Sequence, residues 1–298
     1  MATLPTTLDQ APPAGLQVAG RPSFGRIAGP AGRYALLTVL ALLFLFPFYL
    51  IVRNALMTQA EITSFDWAWL PKNPQWSNLR TLFNDKEAPM ASGLRNSAII
   101  AIVNLLLQTL FASMAGYALA RIPVRGKDVV FFIILSTLMV PSAVTFVPSY
   151  VVVANLHMVN TIWGILIPGL FNAFATFLFR QFYLDFPIEI EEAGRLDGLG
   201  YFGIYWRLLL PNSVGILMAL GVLSFINSWN AFLWPLVIGK DPSSWTVQVV
   251  LSTFLTAQTI NLPMLFMGAA VGAAPLIVVF LFMQRYIVEG VRLSGVKG

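Results

Sequence analysis

The chain has 298 residues, of which 57% are apolar and only 10% charged, with a net charge of +5 and a mean hydropathy of +0.76. Soluble domains are about one quarter charged, so this composition indicates a protein that buries its apolar surface in a membrane. The absence of cysteine excludes disulfides, thiolate metal sites and a cysteine nucleophile. The single histidine, His157, cannot build a multi-histidine metal site.

Six uncharged stretches occur along the chain, each close to or above the roughly 20 apolar residues that a helix needs to cross a bilayer. Backbone polar groups in lipid must be paired within their own segment and period-two alternation is absent, so each stretch is predicted to be a helix. The first stretch is expected to be retained rather than cleaved as a signal peptide, because no small-x-small site follows it. The prediction is an all-α membrane protein with six transmembrane helices, at about 34–52, 96–120, 129–156, 161–179, 208–237 and 264–284.

The placement of Lys and Arg predicts the orientation. With the N-terminus inside, twelve of the 18 basic residues lie in cytoplasmic segments, which places both termini in the cytoplasm. Residues 1–30, rich in Pro, Gly, Ala and Thr, are predicted to form a disordered cytoplasmic tail. In the outer loop 53–95, Trp67, Trp69 and Trp76 are expected to anchor at the membrane interface, with a docking surface for an external partner as the alternative.

The contents of the predicted spans narrow the function. They hold no ionisable side chain, which argues against proton coupling because a proton carrier needs a group that takes up the proton. Sodium coupling through carbonyl oxygens remains open. A membrane enzyme is excluded, since the spans lack a charged acid–base pair and the chain lacks cysteine and a second histidine. Seven prolines within the spans indicate bent helices around a cavity.

The fifth predicted span carries a candidate substrate pathway. Asn227, Asn230 and Trp234 have i, i+3, i+7 spacing and are expected to share one helical face. Uncharged amides beside an aromatic ring suit a polar, neutral solute. The alternative is hydrogen bonding between helices by the two Asn side chains.

Acidic residues and glycines concentrate in "IEIEEAGRLDGLGYF", residues 188–202, within the longest predicted internal cytoplasmic loop. Pro187 is typical of a helix start, and the glutamates after it complement the helix dipole. Arg195 lies four residues after Glu191, which is a favourable spacing for an ion pair on a helix. The segment is therefore predicted to begin as a short helix.

Small residues and helix breakers follow within the same loop. Ala193 and Gly194 allow another surface to approach the backbone closely, and Gly198 or Gly200 is expected to supply a left-handed cap. A second short helix, "YFGIYWRLLL", leads to Pro211 and back into the membrane. A rigid element of this kind is typical of a docking site; the alternative, a solvated surface helix, needs neither small residues nor two breakers.

The segment "EEAGRLDGLGYFGIYWRLLLP" resembles the EAA loop of ATP-binding-cassette (ABC) importer permeases, whose pattern is roughly Glu-Ala-Ala, three residues, Gly, and later an apolar residue and Pro. Gly194 and Leu199 depart from the pattern, since Ala is usual at both positions. The matching positions are Glu192, Ala193, Asp197, Gly198, Leu210 and Pro211.

The resemblance extends over roughly residues 34–298. The chain is similar to maltose-type carbohydrate permeases through segments that occur in the expected order, including "RNSAIIAIVN", "AGYALARIPVRGK", "VPSAVTFVPSY", "FINSWNAFLWPL" and the closing "SGVKG", in which Ser294 replaces a usual Gly. This resemblance implies a type I ABC importer transmembrane domain over 31–298, with a core at about 92–285 and an EAA coupling loop at 187–211.

The resemblance also implies a division of labour. This chain is expected to be a non-enzymatic permease of the cytoplasmic membrane that moves a sugar or sugar derivative. The implied partners are a second permease in a heterodimer, two ATPase subunits that hold ATP and Mg²⁺, an extracytoplasmic solute-binding protein and membrane lipid; no nucleic acid, cofactor or metal is expected on this chain. The residues implied to couple it to the ATPases are Glu191, Glu192, Ala193, Gly194, Asp197, Gly198 and Pro211.

One observation and one alternative bear on this interpretation. The chain has no G-x-x-x-x-G-K-[ST] phosphate loop, so it is not the ATPase itself. The alternative from a different class is a sodium-coupled secondary carrier that acts alone.

Overall fold

The computed structural model describes residues 30–255 and 260–295, so the tail predicted at 1–30 lies outside the described residues apart from Pro30. Within the described ranges the structure is helical, and the only β-bridge pairs Leu255 with Ile260. The helices in chain order are α1 (Pro30–Ala55), α2 (Gln59–Thr63), α3 (Ser77–Asn84), α4 (Met90–Val103), α5 (Thr109–Arg121), α6 (Lys127–Thr137), α7 (Ser142–Asn155), α8 (Ile162–Leu166), α9 (Ala173–Leu184), α10 (Ile188–Leu196), α11 (Tyr201–Ile204), α12 (Leu210–Asn212), α13 (Val214–Trp229), α14 (Leu233–Ile238), α15 (Val247–Thr253) and α16 (Leu262–Gly295).

Three helical segments are long and apolar enough to cross a membrane: Gly32–Ala55, Met90–Arg121 and Leu262–Gln284. The second joins α4 to α5 through a π-helical segment, Asn104–Gln108. Three bent helix pairs meet the same criteria. The fold class is confirmed: counting each pair as one span gives six spans in the described ranges. Five of them coincide with the predicted regions to within a few residues, whereas the fifth covers 201–229 instead of the predicted 208–237.

The bent pairs differ in the angle between their halves. Helices α6 and α7 meet at 100°, α8 and α9 at 42°, and the segment 201–212 meets α13 at 78°. Pro141 lies at the largest bend, as the residue before α7, because it cannot continue the hydrogen bonding of α6. Pro148 and Pro275 instead lie inside helices. Prolines therefore contribute to the bends without each of them breaking a helix.

The chain divides into two compact units, with the boundary after Pro47, inside α1. In the first unit, most apolar side chains of α1 are exposed, as on a lipid-facing helix. In the second unit, α6 exposes Val129, Val130, Phe132 and Ile133, which is the same pattern.

The core of the second unit that matters for function lies between α5 and α9. Gly116 brings these helices together so closely that a Cβ atom there would lie 2.6 Å from the Cβ of Phe179. Beside it, the buried ring of Tyr117 contacts the buried rings of Tyr183 and Tyr205. The hydroxyl of Tyr117 donates to the carbonyl oxygen of Tyr201 at 3.3 Å, which connects this aromatic layer to the segment after α10.

The fifth predicted span, 208–237, is not one continuous helix. Helix α13 ends at Trp229, and α14 begins only at Leu233. The buried Trp229 stacks on Phe225 at 5.7 Å and donates a hydrogen bond to the carbonyl oxygen of Gly272, 3.0 Å away. These contacts hold the end of α13 against α16.

Candidate functional site

The predicted coupling segment is a helix with a well-formed end. Helix α10 runs from Ile188 to Leu196, and Gly198 after it has φ +81°. The amide of Gly198 donates to the carbonyl oxygen of Arg195 at 3.0 Å, and that of Leu199 donates to Gly194 at 2.9 Å. This pair of bonds is a Schellman motif, so Gly198 is the left-handed cap. Gly200, the other candidate, has an extended φ of −77°.

A buried ion pair ties α10 to the end of α5. The Glu191 side chain is fully buried, and its Oε1 lies 3.1 Å from Nε of Arg121. Arg195 contributes more weakly, with Nη2 3.8 Å from Oε2. Arg121 also donates hydrogen bonds to the carbonyl oxygens of Tyr183 and Phe186. One guanidinium therefore holds both α10 and the end of α9.

The environment of Glu191 is poor in hydrogen bonds. Neither carboxylate oxygen accepts a hydrogen bond from the described residues. Burial raises the pKa of Glu191 above its ordinary value, while Arg121 and Arg195 oppose that rise. The charge is held mainly by electrostatic attraction to Arg121, which makes the pair sensitive to loss of either partner.

Gly194 plays a different part from the one expected. It is buried, and a Cβ atom there would lie 2.6 Å from Cδ1 of Leu208 and 3.4 Å from Cγ1 of Ile204. The surface that approaches Gly194 closely is therefore the chain's own next helix, and the expectation that it leaves room for another surface is wrong. Ala193 is exposed and keeps that role open.

The opposite side of α10 is exposed. Glu192, Ala193 and Asp197 are exposed, and Leu196 exposes 89% of its surface. Phe202, just beyond the cap, is 69% exposed. This end of α10 therefore presents exposed apolar side chains beside acidic ones.

Pro211 lies just before a change of direction. It belongs to α12. Two residues later, the hydroxyl of Ser213 donates to the carbonyl oxygen of Leu209 at 2.6 Å. The chain then turns by 78° into α13. The chain therefore changes direction at the position where the sequence predicts its return to the membrane.

A second feature is a cavity of about 340 Å³ between α4, α7, α8, α13 and α14. Asn227 and Trp234, both predicted pathway residues, line it. Asn230 does not: it caps the end of α13, and its Oδ1 accepts from Nε2 of Gln248 at 3.3 Å. The shared helical face predicted for the three residues is wrong, because the helix ends between them.

The cavity contains residues that the sequence did not single out. The π-helical segment 104–108 brings Asn104 and Gln108 into its wall. Asn104 is 6% exposed; its Nδ2 donates to Oγ of Ser228 at 2.9 Å, while its Oδ1 has no partner among the described residues. An amide within an uncharged span is the only sequence signal for it, and that signal is also given by ordinary interhelical hydrogen bonds.

Residues 108–293 match the family described as binding-protein-dependent transport system inner membrane components. The chain is 31% identical over 262 residues to the arabinooligosaccharides transport system permease protein AraQ of Bacillus subtilis strain 168, which covers 87% of this chain and 93% of that protein. It is 31% identical over 263 residues to the sn-glycerol-3-phosphate transport system permease protein UgpE of Yersinia enterocolitica, covering 86% and 94%.

The fold also has a counterpart of known structure. A chain in the crystal structure of a bacterial ABC transporter involved in the import of the acidic polysaccharide alginate superposes with a TM-score of 0.75 and 23% identity, over 87% of this chain and 98% of that chain. The fold is that of a type I ABC importer transmembrane domain.

These matches contradict the alternative of a sodium-coupled carrier that acts alone, because the family consists of components of a binding-protein-dependent system. The chain is a multi-pass membrane protein, and its family is a transport subunit rather than an enzyme. It belongs to the family of binding-protein-dependent transport system inner membrane components and is a permease subunit of an ATP-driven ABC importer.

Proposed function

We propose that this permease moves a sugar or sugar derivative inward across the cytoplasmic membrane, with both of its termini in the cytoplasm. The names of two relatives, which refer to arabinooligosaccharides and sn-glycerol 3-phosphate, support a hydroxyl-rich substrate. The excess of Lys and Arg in the predicted cytoplasmic segments supports the orientation.

The complete importer in this proposal has five kinds of component. This chain pairs with a second, different permease subunit, and two ATPase subunits bind ATP and Mg²⁺ and hydrolyse the ATP. A solute-binding protein delivers the substrate on the outer side, and lipid surrounds the helices. The family description, which names dependence on a binding protein, supports the solute-binding protein in this arrangement.

The ATPases act on this chain through α10 and the turn after it, at 187–211. The observation that carries the proposal is the two-sided character of α10: Glu191 is buried against Arg121, whereas Leu196 is 89% exposed. The exposed side is available to the ATPase, with Glu192, Ala193 and Asp197 around Leu196. A movement of α10 also moves α5 and α9, because Arg121, at the end of α5, contacts both Glu191 of α10 and the end of α9.

Within this mechanism the other coupling residues shape the loop. Gly194 allows α10 to pack against Leu208 of the following helix, and Gly198 fixes the sharp turn at its end. Pro211 belongs to the short helix from which the chain bends into α13. A displacement of α10 is thereby transmitted to α13 as well as to α5.

The test is ATP hydrolysis by the importer, purified with its partner subunits and reconstituted in proteoliposomes, with and without its solute-binding protein. Leu196→Ser is expected to reduce the stimulation by the binding protein several-fold, because it removes the exposed apolar contact. Val124→Ser is the matched control, since Val124 is 60% exposed in another predicted cytoplasmic segment and should leave stimulation unchanged.

A second variant, Gly198→Asp, adds a charged side chain to the exposed turn at the end of α10 and should also uncouple hydrolysis from the binding protein. If Leu196→Ser, Gly198→Asp and Val124→Ser all retain full stimulation, α10 is not the coupling element. Absence of any stimulation in the wild-type complex would reject the importer itself.

A further inference from the structure

Three side chains on one face of α5 contact the coupling loop, 187–211, at successive levels. Ser113, Tyr117 and Arg121 are spaced i, i+4 and i+8, so they form a stripe about 12 Å long on that helix. Ser113 is fully buried, Tyr117 is 3% exposed and the Arg121 side chain is 12% exposed. This set, the α5 stripe, therefore lies inside the protein.

The first two contacts run in opposite directions along the two segments. Arg121, the last residue of α5, pairs with Glu191 of α10 at 3.1 Å. One turn back along α5, the hydroxyl of Tyr117 donates to the carbonyl oxygen of Tyr201, where α11 begins, at 3.3 Å. The coupling loop therefore follows α5 inward from its end.

The third contact joins two hydroxyls. Tyr205 begins the π-helical segment Tyr205–Leu209, and its hydroxyl donates to Oγ of Ser113 at 3.1 Å. Its ring stacks on that of Tyr117, with centroids 5.4 Å apart and 30° between the ring planes. Ser113 also shares a hydrogen bond of 2.7 Å with the hydroxyl of Tyr183 on α9. All three hydroxyls in this cluster have a partner, although none of the three residues is more than 2% exposed.

Hydrogen bonds between buried hydroxyls specify an arrangement more than they stabilise it. Replacing such partners by apolar groups of the same shape can be nearly neutral for folding, whereas a fully satisfied buried polar network fixes one packing of the segments that share it. The segment that begins at Tyr205 is also a π-helical turn, a feature frequent at functional sites. The bond between Tyr205 and Ser113 thus fixes how the segment after α10 sits on α5.

The number of attachments decides what α5 receives when α10 moves. An attachment at Arg121 alone would act only on the last residue of the helix, where the helix can bend or fray. Attachments about 12 Å apart on one rigid helix convert the same displacement into a tilt of the helix as a whole. The contact at Ser113 is the one furthest from Arg121, so it contributes the longest lever arm.

We propose that Ser113 and Tyr205 are positioning residues for coupling, and that their hydrogen bond is the inner attachment that makes α5 follow the coupling loop as a rigid body. The inference rests on the proposed function, in which the ATPases act through α10, and extends it to two buried side chains away from the exposed side of α10. Contact with the ATPase and transmission into the membrane helices are then carried by different residues.

The experiment uses the complete importer in proteoliposomes and measures the ratio of ATP hydrolysis with the solute-binding protein to hydrolysis without it. Tyr205→Phe keeps the ring on Tyr117 and leaves Ser113 bonded to Tyr183, so only the bond to the coupling loop is lost. We expect the ratio to fall about 2- to 10-fold, the equilibrium factor that corresponds to one net hydrogen bond.

Tyr183→Phe is the matched control. It makes the same chemical change in the same buried cluster but leaves Tyr205 bonded to Ser113, so the ratio should stay at the wild-type value. Melting temperatures of the two variants are measured in parallel. A role in packing alone would lower the ratio in both variants or in neither.

Ser113→Ala breaks the same bond from the α5 side and should lower the ratio as Tyr205→Phe does. The double variant should be no lower than Ser113→Ala alone, because both changes remove one interaction. If Ser113→Ala does not assemble, Tyr205→Phe against Tyr183→Phe decides the question.

Two results would reject the inner attachment and leave the coupling role of α10 standing: a wild-type ratio in Tyr205→Phe or Ser113→Ala, or an equal fall in Tyr205→Phe and Tyr183→Phe. Failure of the proposed function is seen separately, as full stimulation in Leu196→Ser and Gly198→Asp.

Discussion

Arg121 and Glu191 are 70 positions apart in the sequence and meet in the fold, with Nε of the arginine 3.1 Å from Oε1 of the fully buried carboxylate. Breaking a buried pair by removing one partner leaves an uncompensated charge in the interior, which is destabilising by about 3–5 kcal/mol. The pair is thus the point at which α10 is attached to the membrane helices.

We expect Arg121→Met to lower the melting temperature of the purified complex and to reduce its stimulated ATP hydrolysis. Adding Glu191→Gln should recover part of the lost stability, because the neutral amide has no charge left to compensate. Arg125→Met, at an exposed position nearby, is the control and should melt like the wild type. Equal melting temperatures for Arg121→Met and Arg125→Met would contradict the stabilising role.

The raised pKa of Glu191 predicts a dependence of stability on pH. Burial raises it above the ordinary value of 4.5, so the folded chain binds this proton more tightly than the unfolded chain does. The contribution of Glu191 to stability is therefore fully present below about pH 4.5 and is lost as the pH rises through the raised pKa.

Melting temperatures from pH 4.5 to pH 8 test this prediction. The amide in Glu191→Gln cannot ionise, so this variant is the reference. The stability of the wild type relative to it should fall as the pH rises and should level off once Glu191 is fully ionised. Glu189→Gln, at an exposed position on the same helix, should track the wild type across the range. A wild-type advantage that grows with pH would reverse the assigned direction.

Gly116 is predicted to be intolerant of a side chain. A Cβ atom there would lie 2.6 Å from the Cβ of Phe179 and 2.8 Å from the backbone nitrogen of Arg180, neither of which can move without shifting α9. We expect Gly116→Ala to be destabilising by about 1–3 kcal/mol, as in other overpacked interiors. Gly200→Ala, with no atom within 4 Å of the new Cβ, should be near neutral in the same thermal unfolding measurement.

Gly198 tests a backbone effect instead of packing. Nothing lies within 4 Å of a Cβ atom at this position, so the penalty of a substitution comes from φ +81° alone. We expect Gly198→Ala to be destabilising by about 1–2 kcal/mol and Gly198→Asn by less, since Asn tolerates the left-handed region better. Indistinguishable melting curves for the two variants would argue against strain at this turn.

Local patterns predicted much of this protein. The uncharged stretches located the spans because lipid imposes both length and composition on a helix, and the pattern after Pro187 predicted α10, its cap and the turn. The break after Trp229 was not predicted, since the span remains apolar through it. Asn227, Asn230 and Trp234 therefore appeared to share a face that the structure divides.

The sequence by itself determined the membrane class, the spans and the position of the loop, because hydropathy, charge placement and turn chemistry act over a few neighbouring residues. Only the tertiary structure decided that Arg121 compensates Glu191, that Gly194 packs against Leu208, and that Asn104 lies in a cavity wall. Those contacts depend on which helix faces meet, and that is decided by packing between segments far apart in the chain.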